Sequence, residues 1–581
     1  MKNLLSHKYF HWLLTILFGL AVFLFWRLRY PFALTYQEQL QLFLFDSDYF
    51  WGRMAEPGGF ARYIAEFLVQ FYNSVTIGSL IIAILMMLVQ RLTWRLMVSS
   101  HPSPLTSHHY PLSFIPAIML WYAMGDESVM LSYVVALAMA IAVAIGWLRW
   151  TKGVATWQMW LAALVLIPIA YWLIGPMVLL VAVLMMPWTV AVPALVYALA
   201  LMLLSAHYLP FPMSRVILGI SYYRFPVTMP YILMAIPLVI TVMALIIQFS
   251  KKMVSRKTVP MITVGELLVV TIAGLLIVPL GFEAKKYELI EYDHLVRIND
   301  WKGIIHKAEK QMPDLPMSVS ATNLALGMTN QLGERAFDFY QRGCEGLLPK
   351  FERNFATSQL TGEIYFHLGL VNTAQRFAFE AMEAIPNYNK SARVVKRLAE
   401  TNLINGQYKV AEKYLRMLEK TIFYRPWAQR TIAMLGNEKA IDSHPLYGKL
   451  RQYRLKEDFL FSDRELDKIC GQLFIHNQQN QMAAQYLLMM PLLDRDIPRF
   501  MSFVKVVQNR ISYNPRHCQE GIAFAFMQQR QQPPRGVVSP YVLQQMNEFG
   551  QTYSRDKSVA GLDRFRNTVW YYLVGGALND E

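Results

Sequence analysis

The residues best suited to chemistry cluster just after the first long apolar run. Glu38, Asp46 and Asp48 come first, and Glu56 and Glu66 follow. Among them sit Phe43, Phe45, Tyr49, Phe50 and Trp51. Aromatic rings settle at the headgroup level of a bilayer, so this segment is expected to lie along a membrane surface and hold its acids there. A carboxylate so placed can serve as a general base toward an acceptor hydroxyl when burial or neighbours tune it. Two or more can hold a divalent cation against a departing phosphate. The plainer explanation is that an interfacial loop needs polar residues simply to stay at the surface.

Asp126 and Glu127 form a second acidic group, in a very short turn between two apolar runs. They are the candidate metal ligands. Arg215 and Arg224 lie in the segment 207–229. A guanidinium grips phosphate with two parallel hydrogen bonds, so these two are candidate binders of a lipid phosphate, with snorkelling at an aromatic belt as the plain alternative. Arg62 and Glu66, four apart on an apolar-striped helix over 59–71, read as a surface pair. His108 and His109 are adjacent and receive no role. No phosphate-cradling glycine loop, zinc spacing or local Ser/His/Asp signature occurs, so ATP-driven chemistry is not expected.

The elements that must carry these residues fall into two halves. Residues 1–284 read as a polytopic membrane domain, with 27–68 as its first outward loop. Residues 285–581 read as soluble mixed-charge helix, long enough to bury a core of their own. About nine spans are expected, over 11–26, 69–89, 112–124, 129–148, 157–173, 177–187, 190–205, 231–249 and 262–282; the third and sixth are short for a core of roughly 30 Å. Positively charged loops favour the cytoplasmic side. With the N-terminus inside, a hairpin between 175 and 205 puts Arg91/Arg95, Arg149/Lys152 and the Lys251–Lys257 cluster there, and sends both acidic loops and the C-terminal half outward. The first apolar run is bulky and lacks a small-residue cleavage site, so it reads as an uncleaved anchor. The net charge of +15 is explained by basic residues flanking spans, and no nucleic-acid partner is expected. Cys344, Cys470 and Cys518 are too sparse for a disulfide framework.

The soluble half repeats. Gly369 and Gly406 are 37 residues apart, and so are Ala374 and Ala411. Glycine at a turn, alanine five later and proline at Pro386 resemble the tetratricopeptide repeat. Weaker copies surround Asp300, Leu332 and Asn480. The resemblance implies an all-α protein whose second half is an α-solenoid, with a concave face open to a protein partner.

The membrane half is similar in layout to the GT-C superfamily of glycosyltransferases. These carry a catalytic acid in the first outward loop, often a second acidic loop, and a soluble outward domain. The matching positions here are Glu38, Asp46, Asp48, Asp126 and Glu127. Gln37-Glu38-Gln39 stands where an Asp-Glu or Asp-x-Asp pair is usual. The strings Glu38–Phe45, Pro57-Gly58-Gly59 and Glu380–Lys390 also resemble a family of multi-spanning membrane proteins of Bacteroidales, which carries no assigned activity. The expectation is a lipid-linked-sugar glycosyltransferase of the bacterial inner membrane. Glu38 would be its base, aided by Asp46 and Asp48, and a divalent cation is the candidate cofactor. The rival is a membrane-anchored assembly scaffold. A transporter ranks third, because ionisable residues are absent from the span interiors apart from their ends.

Overall fold

The computed structural model describes the chain except residues 1–7, 101–105, 212, 219–230, 251–258, 386–388, 457–464, 508–509, 511–513, 556–559 and 576–581. Arg224 and the Lys251–Lys257 cluster lie outside the described residues. Among the described residues the structure is helical and contains no strand. It divides into two compact units: Met1–Tyr287 with Ile385–Ala392, and Glu288–Ala384 with Arg393–Glu581.

The first unit has membrane-spanning character. Six helical stretches are long and apolar enough to cross: Tyr9–Arg29, Val75–Ser100, Leu131–Trp150, Thr156–Val183, Trp188–Tyr208 and Met261–Gly281, with a shorter apolar helix at Tyr231–Leu245. In chain order its helices are α1 (Lys8–Leu24), α2 (Pro31–Glu38), α3 (Ser47–Met54), α4 (Gly59–Val69), α5 (Val75–Ser100), α6 (Ile115–Ala123), α7 (Leu131–Trp150), α8 (Thr156–Ile174), α9 (Val178–Val183), α10 (Trp188–Tyr208), α11 (Met213–Leu218), α12 (Tyr231–Ser250) and α13 (Val259–Ile277). Two expected spans hold only short α-helices. The stretch 177–187 holds only α9, six residues or about 9 Å of helix. In 112–124 the α-helix is α6, nine residues, about 14 Å. Neither helix alone crosses a core of roughly 30 Å.

The chain nevertheless reverses around α9. Trp172, near the end of α8, accepts a backbone hydrogen bond from Gly58 at 2.9 Å. Met186, beyond α9, accepts one from the Trp147 indole at 3.2 Å, by the last turn of α7. Ser205 near the end of α10 lies 2.6 Å from the Tyr171 hydroxyl. So α8 and α10 finish together at the end of the unit that carries the first loop.

The second unit is built of helix pairs. Six of its turns close the same way: the backbone N–H of Asp300, Gln331, Leu370, Gln407, Asp496 and Gln531 each reaches the carbonyl five residues earlier at 2.7–3.0 Å. The residue before each has positive φ: Asn299, Asn330, Gly369, Gly406, Arg495 and Arg530. This is the closure that satisfies orphan carbonyls at a helix C-terminus. The two best-matched pairs are α14 (Phe355–Leu368) with α15 (Val371–Glu383) and α16 (Ala392–Ile404) with α17 (Tyr408–Glu419). Ala374 and Ala411 are both fully buried, and a Cβ on Gly362 would stand only 3.4 Å from that of Phe377. Small residues therefore set the close approach within a pair.

Candidate functional site

The first loop is pinned before it is charged. Gly58 (φ 80°) and Gly175 (φ 63°) pass so closely that a Cβ on Gly58 would lie 3.3 Å from the Gly175 backbone. A Cβ on Gly59 would meet the Arg53 carbonyl oxygen at 1.8 Å, so α4 can begin there only with glycine. The Trp172 indole donates to the Met54 carbonyl at 2.9 Å. These contacts bring α3 against α4, and Phe43 fills the space beneath with rings to Tyr49, Tyr63 and Phe67. Phe45 and Trp51 remain exposed, as aromatic residues do at a headgroup level.

At the centre is Glu66, whose side chain is 2% exposed. Its Oε2 accepts from Arg53 Nε at 2.8 Å and its Oε1 from Arg62 Nε at 2.9 Å. The Tyr49 hydroxyl donates to the same Oε2. Burial, and then the Glu66 charge, push the Tyr49 phenol upward and keep it protonated. Burial disfavours the Arg53 cation, but Glu66 outweighs it and raises that group. Arg62 also reaches Glu56 at 3.1 Å, and Arg215, stacked on Phe211, approaches Glu56 at 3.6 Å. The carboxamide oxygen of Asn389, from the second segment of this unit, accepts from Arg62 at 2.6 Å and Arg53 at 3.4 Å. Three guanidinium groups thus meet two carboxylates. The pair read as a surface i,i+4 contact is a buried node, because Arg53 approaches from the other side.

The expected acids fare differently. Glu38 closes α2 and is buried. Asp46 stands at the N-cap position of α3 without a side-chain cap bond, and Asp48 is exposed in its first turn. Among the described residues no three His, Cys, Asp or Glu side chains are grouped to hold a metal ion. Asp126 and Glu127 share an ammonium instead: Lys286 Nζ lies 2.7 Å from Glu127 and 3.7 Å from Asp126. Burial opposes the Lys286 charge, and Glu127 more than restores it. Asp126 also caps its own turn, accepting from the Ser128 N–H at 2.9 Å.

Both acidic loops lie at one end of the unit. A Cβ on Gly125 would strike the Gly281 carbonyl at 2.0 Å, and Phe282, the next residue, stacks on Tyr30 at 4.3 Å. Arg53 and Asn389 were missed in the sequence; their partners lie 13 and more than 300 positions away, beyond any local pattern. The same holds for the pair formed by His109 and Glu266, which sets an acid inside α13 where the sequence reading left the span interiors uncharged. No curated protein and no solved structure matches this chain. A family described as a family of unknown function (DUF6057) matches residues 6–576, and the chain belongs to it.

Proposed function

We propose that this protein is a membrane glycosyltransferase of the GT-C type, acting on a lipid-phosphate-linked sugar in cell-envelope glycan assembly. The observation that carries the reading is the shared end of the first unit. Two acidic loops stand at that end, and in the first of them Arg53, Arg62 and Arg215 converge on Glu56 and Glu66. Guanidinium groups gathered at a membrane surface can grip a phosphate. In this reading Glu38 is the base, Asp46 and Asp48 assist it, and Arg215 with Arg224 receives the departing lipid phosphate. The loop end faces the periplasm of a bacterial inner membrane, and the repeats, read as a TPR-like solenoid, present acceptor or partner.

A deletion strain complemented with wild type or Glu38→Gln tests it by mass spectrometry of lipids and envelope glycans. An accumulated lipid-phosphate sugar that wild type clears and Glu38→Gln does not supports transfer. Full rescue by the variant removes Glu38 as base. A second reading, a membrane-anchored scaffold, draws support from Lys286, which pairs with Glu127 and approaches Asp126. Under it, substitutions on the repeats abolish the phenotype and those in the acidic loops do not.

A further inference from the structure

Helix α13 is apolar along its length except for Glu266. An acid within a spanning helix is costly, so it needs a partner. That partner is His109, in the 3-10 segment Thr106–Phe114 that packs on α13. Nδ1 of His109 lies 2.6 Å from Oε1 of Glu266, with the side chains 14% and 16% exposed. The other oxygen, Oε2, is buried and makes no hydrogen bond. The carboxylate is half satisfied.

A second polar network lies among the neighbouring elements. The Tyr110 hydroxyl accepts from Arg91 Nη1 of α5 at 3.1 Å and donates to the His11 carbonyl of α1 at 2.8 Å. Its ring stacks on His11 at 4.0 Å. Gln90 donates to Ser113 at 2.7 Å. Val270, one turn beyond Glu266, packs with Trp94 and Tyr110. The charged and titratable groups presented here are thus His11 from α1, Arg91 from α5 and Tyr110 beside His109. From Glu266 the chain climbs fifteen residues to Gly281 at the loop end, about 22 Å, so the pair is remote from the acidic loops.

We propose that His109 and Glu266 form a proton-binding site inside the membrane-spanning unit. A proton taken from solvent would bond to Oε2 of Glu266, the oxygen left without a donor, giving a carboxylic acid beside the imidazole and raising the charge of the pair by one. The rival is a plain interhelical hydrogen bond that only glues α13 in place. Glu266→Gln separates the two, since its amide still meets the imidazole but takes no proton.

The test is an infrared difference spectrum of the full-length protein in lipid nanodiscs, between about pH 8 and about pH 4. Wild type is expected to gain a protonated-carboxyl band that Glu266→Gln lacks, with a midpoint that differs in His109→Gln. Glu266→Asp, which keeps the charge and changes the band frequency, serves if the glutamine variant inserts poorly. Identical spectra for wild type and the Glu266 variants overturn the proposal. So does a midpoint indifferent to His109. Neither readout depends on glycosyl transfer.

Discussion

Glu66 spends both carboxylate oxygens on guanidinium groups from either side, so its removal leaves two buried cations short of a partner. Breaking a buried pair in this way costs about 3–5 kcal/mol. Glu66→Ala should therefore lower the thermal unfolding midpoint in detergent by many degrees. Arg215→Gln, which loses a 3.6 Å contact to a carboxylate 29% exposed, should cost no more than about 1 kcal/mol. Equal shifts for the two would contradict the geometry. A second buried network, in the repeat unit, sets a pH dependence. Burial works against the Glu363 charge, but Arg397 and Arg393 hold its carboxyl down at about 2, from an ordinary 4.5. Burial pushes the His367 imidazole down to about 4 from 6.5 against the pull of Glu363. Both groups bind protons more readily when unfolded, so both contributions are present above the unfolded values and vanish on acidification. Stability should fall first between 6.5 and about 4, through His367, and then from 4.5 to about 2, through Glu363. His367→Gln should abolish only the upper window in a series of denaturation curves. Residue types of this kind were legible in the sequence. Their partners were not, because Arg53 meets Glu66, and Arg393 meets Asp293 at 2.8 Å, through folding rather than spacing.

At the scale of the element, what could be read was what is local. The 37-residue offset of Gly369 and Gly406 registers a turn whose hydrogen bonds span six residues, so the sequence carries it whole. The same closure at Asn299 and Asn330 was legible only as weaker copies, and at Arg495 and Arg530 it went unread, since no glycine marks the positive φ there. The two glycines also differ in a way no periodicity reveals. A Cβ at Gly406 (φ 76°) meets nothing within 4 Å, whereas one at Gly369 (φ 99°) meets the Cβ of Tyr453 at 2.8 Å. Gly406→Ala should cost about 1–2 kcal/mol, the backbone term alone. Gly369→Ala should cost clearly more, as judged by urea midpoints of the two variants side by side. In the membrane unit, hydropathy marked the long helices, and it marked the stretches around α9 and α6 alike, although their α-helices are short. Composition cannot separate a short apolar helix that other helices shelter from one that lipid surrounds.

For the whole molecule, the opposed ends of the first unit make a labelling prediction. Trp51 on α3 and Trp150 at the end of α7 are both exposed. Trp51 belongs to the loop end, and Trp150 to the end where Met186 meets Trp147. With a membrane-impermeant maleimide on intact spheroplasts, Trp51→Cys should label and Trp150→Cys should label only after lysis. The native thiols interfere little, because Cys470 and Cys518 are buried and burial pushes Cys344 up to about 12. Equal labelling of both before lysis would refute the proposed sidedness.

The membrane unit is also not one stretch of chain. Its last piece, Ile385–Ala392, arrives only after the helices from Glu288 to Ala384 have been made, a closure over about a hundred residues that costs entropy before Asn389 can repay any of it. The ribosome therefore releases the spans well before the carboxamide that Arg53 and Arg62 await. A gene cut after residue 287 would encode every span of this unit and still leave the arginine cluster short of its final acceptor.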